Sequence, residues 1–259
     1  MGQKNLKPSS SYFLSQTFWR LLRNLTSKKI WTYFYKFSQK IKINSKLSEL
    51  KREDLTLQNN LKYPLIQNPE ISDNESFSYY LNKYKSSKPK GEYRKYLDDL
   101  FANLKNKVNT ILELGVSSGA GIRSMKDYFY KSSLWGIDID QQTFIKEKRI
   151  IECDWADQLK LETLKKSAKK FNTKFDLIVD DGWHHPESQI NSMIAFLPYL
   201  NLGGVYIIED VVHNDYQKYF LKVKDLLAYK KFQVEYKTFD VSGSDISNIL
   251  AYFIIKRNN

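Results

Sequence analysis

The 259-residue chain contains only one cysteine, Cys153. An intrachain disulfide and a metal site built from several cysteines are therefore excluded, and a reducing, cytoplasmic compartment is expected. No apolar run reaches the roughly 18 to 20 residues that a membrane-spanning helix needs. The start of the chain also lacks the apolar segment and cleavage site of a secretory leader, so we do not expect a secreted precursor.

Acidic residues are absent from the first 48 positions, where ten lysines and arginines lie. The other 31 of the 41 basic residues face 29 acids, so +10 of the net charge of +12 lies in the first 48 positions, in an N-terminal arm over residues 1–50. Apolar residues at helical spacing predict two amphipathic helices in this arm: Trp19, Leu22 and Leu25 in the first, and Ile30, Phe34 and Phe37 in the second.

Two uses of the arm are open. It can pack on its own domain or on a second copy in a homo-oligomer, which the many large apolar side chains favour. It can also lie peripherally on an anionic membrane surface, at the inner face of the membrane. We do not expect nucleic-acid binding, because no known module for it is recognisable.

Residues 51–107 are polar and interrupted by Pro64, Pro69 and Pro89. They predict a connector with short helices, ending in a helix over Tyr93–Leu104 that leads into the core. Its position just ahead of a glycine turn would also suit a lid over a cofactor.

From residue 108 to 259, short apolar runs alternate with helical stretches. The predicted strands are Thr110–Leu114, Leu134–Ile139, Arg149–Glu152, Phe175–Val179, Val205–Ile208, Phe232–Thr238 and Ile249–Ile255. The predicted helices are Gly121–Tyr130, Leu159–Phe171, Pro186–Leu200 and Asn214–Tyr229. This alternation predicts an α/β domain with a mostly parallel sheet, helices on both faces and a final antiparallel hairpin. Ligands of such sheets bind beyond the carboxyl ends of the strands.

A glycine turn, Glu113-Leu-Gly-Val-Ser-Ser-Gly119-Ala-Gly, follows the first of these strands and opens a helix. Glycine lets the backbone approach a ligand closely, and the start of a helix favours polar or anionic groups. An acid ahead of the turn would repel a pyrophosphate but attract the α-amino group of an amino acid. The next strand ends near Asp138, which can bind ribose hydroxyls. Together these residues favour S-adenosylmethionine over NAD.

This set resembles the class I S-adenosylmethionine-dependent methyltransferases. The resemblance implies a Rossmann-like, seven-stranded sheet. It also implies that Glu113, Gly115 and Gly119 line the methionine pocket and that Asp138 holds the ribose. Asp154 would lie near the adenine amine with Trp155 alongside it, although Asp154 could instead cap the following helix.

A second acidic set follows the next two strands: Asp181-Gly-Trp-His184-His185 after one, and Glu209-Asp210 after the other. Carboxylates at neighbouring strand ends suit a hard divalent cation, most simply Mg²⁺, with Mn²⁺ or Fe²⁺ as alternatives. The pattern resembles the metal-dependent sugar O-methyltransferases of macrolide deoxysugars. The resemblance implies that Asp181, Glu209 and Asp210 bind the metal and that His184 is the general base.

Two residues of this turn depart from the pattern or extend it. Trp183 stands where the resembled enzymes usually have a small residue. The identity of the acceptor therefore cannot be inferred from those enzymes. His185 is additional, and we expect it to cap the helix that begins at Pro186.

The predicted function is O-methylation of a sugar hydroxyl that depends on S-adenosylmethionine and a divalent metal. A nucleotide-activated or glycosidic sugar, destined for a capsule or other surface polysaccharide or for a natural product, is the expected substrate. Two alternatives remain: a metal-dependent methyltransferase of catechols, and a non-catalytic membrane-surface adaptor that retains the fold.

Overall fold

The computed structural model describes residues 28–56, 58, 75–211, 214–240 and 249–257. The predicted helix around Trp19, Leu22 and Leu25 lies outside these residues, as does His213, which we expect to line the loop after the fifth predicted strand. Among the residues that are described, every helix is too short or too polar to cross a membrane.

A single helix, α1 (Lys28–Arg52), contains the second predicted amphipathic segment. The chain divides into two units, one reaching Ser45 and the other running from Lys46 to Asn259. In the first unit, Phe37 and Ile41 are more than half exposed. The assignment of residues 1–50, 51–107 and 108–259 to arm, connector and core stays a prediction.

The second unit is built on one seven-stranded sheet in the order β3-β2-β1-β4-β5-β7-β6. All pairs are parallel except those made by β7, which runs antiparallel to β5 and β6. The predicted mostly parallel sheet with a final antiparallel hairpin is thus confirmed. The strands are β1 (Thr110–Leu114), β2 (Ser133–Asp138), β3 (Ile150–Trp155), β4 (Phe175–Asp180), β5 (Leu200–Ile208), β6 (Phe232–Asp240) and β7 (Ile249–Arg257).

Some helices connect successive strands, and others precede the first strand. Two short helices lie ahead of the sheet and pack their aromatic residues into its core. The helices are α2 (Phe77–Lys83), α3 (Glu92–Ala102), α4 (Ala120–Tyr128), α5 (Leu161–Phe171), α6 (Pro186–Phe196) and α7 (Asn214–Tyr229), with 3₁₀ turns at Gln141–Thr143 and Leu197–Tyr199. The predicted connector is therefore partly helical and contributes to the core.

Three predicted boundaries were wrong by three residues or more. Strand β5 begins at Leu200 rather than Val205, so its first half was predicted as the end of a helix and a turn. Helix α6 ends at Phe196 rather than Leu200, because Pro198 has no amide proton to continue it and the chain tightens into a 3₁₀ turn. Strand β3 runs on to Trp155 rather than ending at Glu152, because β2 continues to pair with it through Asp138. The last residues of this strand have polar side chains, so the apolar pattern did not indicate that the strand continues.

The register of the central strands aligns their carboxyl ends. Leu114 pairs with Asp180, and Asp180 pairs with Ile208. The pairing continues one residue further, since Asp181 donates its amide to the Leu114 carbonyl and Glu209 donates to that of Asp180. The residues that follow β1, β4 and β5 therefore lie side by side at one edge of the sheet.

Candidate functional site

The candidate site begins at the glycine turn between β1 and α4. Gly115 has φ +88°, a conformation that favours glycine. A Cβ atom at Gly115 would overlap the carbonyl oxygen of Asp181 and lie 2.5 Å from the Cα atom of Gly182. The absence of a side chain at Gly115 therefore lets the Asp181 turn lie directly against the glycine turn.

Glu113 is the buried acid of this turn, with 1% of its surface exposed. Its Oε2 atom has no hydrogen-bond partner among the described residues. Burial raises the pKa of Glu113 well above its usual value; Lys88 opposes the shift, and the charges of Asp181 and Glu209 add to it. A buried carboxylate oxygen without a partner fits a ligand that brings an ammonium group.

The Asp138 carboxylate, at the end of β2, accepts two backbone amides. Ser117 donates to Oδ2 and Asp140 to Oδ1, each at 2.8 Å. The Ser117 contact ties the glycine turn to the end of β2. A cleft of about 540 Å³ lies beside this point, and its lining includes Ser118, Phe144 and Ile145. Asp138 does not itself line this cleft, but Ser117 and Asp140, which donate to its carboxylate, do.

Asp154 has side-chain partners that belong to α5. Ser167 donates to its Oδ2 atom and Lys170 to its Oδ1 atom, both at 2.7 Å. Burial acts to raise the pKa of Asp154, but these two partners lower it below its ordinary value. Asp154 is therefore tied to α5 and does not cap the start of that helix, which begins at Leu161 without a side-chain cap. Trp155 is half-buried at the end of β3, and the adenine contact of both residues stays a prediction.

The metal half of the site contains an unexpected cation. The Lys88 ammonium lies 2.5 Å from Oδ2 of Asp181 and 2.5 Å from Oε2 of Glu209. Only 9% of the Lys88 side chain and 2% of the Glu209 side chain are exposed. Burial opposes the charge on Lys88, yet the two carboxylates raise its pKa above the ordinary value, so the ammonium stays protonated.

His184 and Asp210 lie close to Asp181. The His184 Nε2 atom is 3.8 Å from Oδ2 of Asp210. Ligand atoms of Asp181, His184 and Asp210 all lie within 4.8 Å of one another, close enough for one metal ion. Glu209 joins this set through the ammonium that it shares with Asp181. The four residues predicted for the metal and the base are thus gathered at one edge of the sheet.

These side chains fit a divalent cation. Asp181 and Glu209 already share a positive charge, and Asp210 adds a third carboxylate beside them. Burial raises the pKa of Glu209, so this carboxylate depends on a nearby cation to remain ionised. An oxygen-rich set of this kind suits Mg²⁺ or Mn²⁺.

Three residues that sequence reasoning missed support the cluster. Lys88 supplies its cation, and Tyr93 donates to Asp210 at 2.5 Å. The Gln158 side chain accepts the Trp183 amide at 2.6 Å and donates to Asp180 at 2.8 Å, which holds the turn between β4 and α6. Lys88 and Gln158 stand in polar stretches that carry no local signal. Tyr93 lies on the apolar face of a predicted helix. That position indicates packing and gives no signal for a hydrogen bond from its hydroxyl.

Two further residues, His185 and Trp183, belong to the turn between β4 and α6. His185 is the N-cap of α6, and its Nδ1 atom accepts the Glu187 amide, which confirms the predicted capping role. Trp183 is 66% exposed. It therefore presents an indole ring to solvent next to His184.

In sequence comparisons with known proteins, part of the chain is similar to O-methyltransferases. No family model matches it. It is 30% identical over 123 residues to mycinamicin VI 2″-O-methyltransferase of Micromonospora griseorubida, which covers 45% of this chain and 30% of that protein. It is 29% identical over 123 residues to demethylmacrocin O-methyltransferase of Streptomyces fradiae, covering 45% and 31%. The matched segments thus span about a third of the length of these curated relatives.

Solved structures agree on the fold. The MycE methyltransferase from mycinamycin biosynthesis, in complex with Mg and SAH, superposes with a TM-score of 0.56 and 23% identity. The match covers 73% of this chain and 56% of that one. A complex of the same enzyme with Mg, SAH and mycinamycin VI gives the same TM-score at 24% identity. The chain therefore has a Rossmann-like methyltransferase fold. Over less than half of its length it is similar in sequence to O-methyltransferases that act in the formation of glycosylated natural products.

Proposed function

We propose that this chain is an O-methyltransferase that depends on S-adenosylmethionine and a divalent metal and acts on a sugar hydroxyl. One observation carries the proposal: Asp181, Glu209 and Asp210 converge with His184 on the sheet edge that also holds Glu113. One carboxylate oxygen of Glu113 has no hydrogen-bond partner among the described residues. The kinship with sugar O-methyltransferases supports the same reading.

Each half of the site has a defined task in this proposal. Glu113 would bind the α-amino group of the cofactor, beside the turn formed by Gly115 and Gly119, and Asp138 would hold its ribose. Asp154 and Trp155 are assigned to the adenine on the resemblance alone. When bound, S-adenosylmethionine supplies the methyl group and the metal lowers the pKa of the acceptor hydroxyl.

The acceptor half would work through two kinds of side chain. The metal ligands proposed are Asp181, Glu209 and Asp210, which come from two consecutive strand ends and so set the position of the acceptor. His184 would take the hydroxyl proton at its Nε2 atom, the nitrogen that faces Asp210. An imidazolium formed there would be stabilised by the adjacent carboxylate.

The finer substrate assignment is a nucleotide-activated or glycosidic sugar with two adjacent hydroxyls. Binding of the acceptor through two neighbouring oxygens explains why adjacent hydroxyls are expected. The exposed Trp183 ring offers an apolar surface for one face of a sugar. A sugar of a natural product and a sugar of a surface polysaccharide both satisfy these requirements.

Lys88 bears on the alternative of a catechol methyltransferase, because a catechol is acidic enough for a lysine base. A lysine base must be neutral to accept a proton. In the metal-free protein the carboxylates of Asp181 and Glu209 bind the Lys88 ammonium and raise its pKa, which opposes that role. His184, by contrast, already has a ring nitrogen within 4.8 Å of carboxylate oxygens of Asp181 and Asp210. His184 therefore remains the better candidate base.

The test is a transfer assay with methyl-labelled S-adenosylmethionine, the whole chain, and panels of glycosidic natural products, nucleotide sugars and catechols. Mg²⁺, Mn²⁺ and Fe²⁺ are supplied in turn, with EDTA as the metal-free control. We expect label on a sugar with adjacent hydroxyls and none on the matching deoxysugar. Full transfer without metal, or transfer to catechols alone, would refute the assignment. Absence of cofactor binding would instead favour an adaptor, which flotation with anionic liposomes detects.

A further inference from the structure

Lys88 reaches the centre of the acidic cluster from the loop between α2 and α3. Its ammonium contacts Asp181 and Glu209, which are 93 and 121 residues away in the sequence. These are two of the three carboxylates proposed as metal ligands. The lysine therefore holds one oxygen atom of each of two carboxylates that a metal would need.

An ammonium and a divalent cation cannot share these oxygens. Like charges a few ångströms apart repel each other, and the repulsion doubles when one of the two is a divalent ion. The Lys88 side chain is nearly buried, so water screens little of the repulsion. Binding of the metal must therefore move the ammonium away.

The backbone at Lys88 is held in place by Arg94, a buried residue of α3. The Arg94 guanidinium donates to the Lys88 carbonyl through Nε at 2.9 Å and Nη2 at 2.7 Å. It also donates to the Ser86 carbonyl and to the Asn82 side chain. Because the main chain is anchored by these bonds, the ammonium can leave by rotation of the flexible lysine side chain alone.

We infer that Lys88 is a built-in competitor of the divalent cation, which neutralises Asp181 and Glu209 in the metal-free protein and is displaced when the metal binds. The inference rests on the proposed metal site. It adds that the affinity for metal is set by a lysine outside the ligand set. It also means that Lys88 changes from a buried to an accessible group when the metal binds.

The first test compares Mn²⁺ binding to the whole protein and to two variants, by calorimetry and by the electron paramagnetic resonance of free Mn²⁺. The variant K88M keeps the length of the side chain and removes the charge. The control K90M removes an exposed lysine two residues further on. We expect K88M to bind Mn²⁺ about tenfold more tightly or better, and K90M to bind like the wild type.

The outcomes separate this inference from the proposed function. Equal or weaker binding by K88M, with clear binding by the wild type, overturns the competition and leaves the metal site standing. No binding by any of the three proteins, including K88M, removes the metal site and the competition together.

A second test needs no variant and decides the matter if K88M does not fold. Reductive methylation of the wild-type protein is followed at Lys88 and Lys90 by peptide mass spectrometry, with and without Mg²⁺. We expect Lys88 to be protected without Mg²⁺ and to react several-fold faster with it, while Lys90 reacts equally in both. Mg²⁺-independent protection of Lys88 overturns the inference.

Discussion

The Tyr93 hydroxyl donates a 2.5 Å hydrogen bond to Oδ1 of Asp210, and so links α3 to the residue that follows β5 by two positions. Burial raises the pKa of Tyr93 well above its usual value, which keeps the hydroxyl protonated and able to donate. Asp210 has φ +50°, an uncommon conformation for a residue other than glycine. This bond therefore holds a strained acid in the orientation that faces His184.

The variant Y93F should weaken Mn²⁺ binding about tenfold, because Asp210 loses the donor that orients it. The aromatic ring keeps its packing against Tyr252 and Phe239, so the free energy of unfolding should fall by only about 1 to 2 kcal/mol. Y96F is the matched control, since Tyr96 lies on the same helix and stacks on Tyr252 but donates to Glu235. Calorimetric titration of all three proteins measures the effect, and equal Mn²⁺ affinities would contradict it.

Replacing Glu113 by glutamine should change cofactor binding and stability in opposite directions. E113Q removes the charge that would pair with the α-amino group, so the affinity for S-adenosylmethionine should fall about tenfold or more. The same change removes a buried carboxylate with an unpartnered oxygen, so the ligand-free protein should be equally stable or more stable. Cofactor titration and urea unfolding measure the two effects. A parallel loss of both would show that Glu113 serves the fold alone.

His184 can be tested as a base separately from its nearness to the metal ligands. H184A should lower kcat by about 10² to 10⁴, with the affinity for S-adenosylmethionine unchanged. Mn²⁺ binding should persist if the histidine is the base, whereas its loss would make His184 a ligand together with Asp181 and Asp210. The control is H185N, because asparagine can replace the helix cap at His185. Unchanged turnover in H184A would rule out the base.

The outline of the sheet could be predicted from sequence because its signals are local. Mostly apolar runs such as Thr110–Leu114 indicate strands buried on both faces, and helices between them require parallel neighbours. The acids after β4 and β5 then had to lie at the same edge. That reasoning located Asp181 and Glu209 without any knowledge of their contacts, and the register of Asp180 with Ile208 shows why it succeeded.

The contacts around these acids could not be predicted in the same way. Lys88 meets its partners across 93 and 121 residues, and no pattern within its own loop signals a buried ammonium. The side chain of Asp154 accepts hydrogen bonds from Ser167 and Lys170 of α5. Its position in the sequence does not tell whether it contacts α5 or faces the edge of the sheet. Such outcomes depend on tertiary packing, which decides where a polar group at a strand end finds its partners.

A substitution at Gly115 should show how closely the two halves of the site are packed. G115A adds a methyl group that overlaps the Asp181 carbonyl, at a φ of +88° that alanine adopts at a cost. We expect it to lower the free energy of unfolding by about 2 to 5 kcal/mol, and to weaken Mn²⁺ binding because Asp181 must shift. The matched variant is G91A, where φ is +76° and an added Cβ meets nothing within 4 Å. Gly91 has ψ −139°, a backbone conformation that other residues rarely adopt, so this variant should cost about 1 to 3 kcal/mol, the conformational part alone. Urea unfolding of both variants isolates the steric part, and equal losses would mean that the Asp181 turn is free to move away from Gly115.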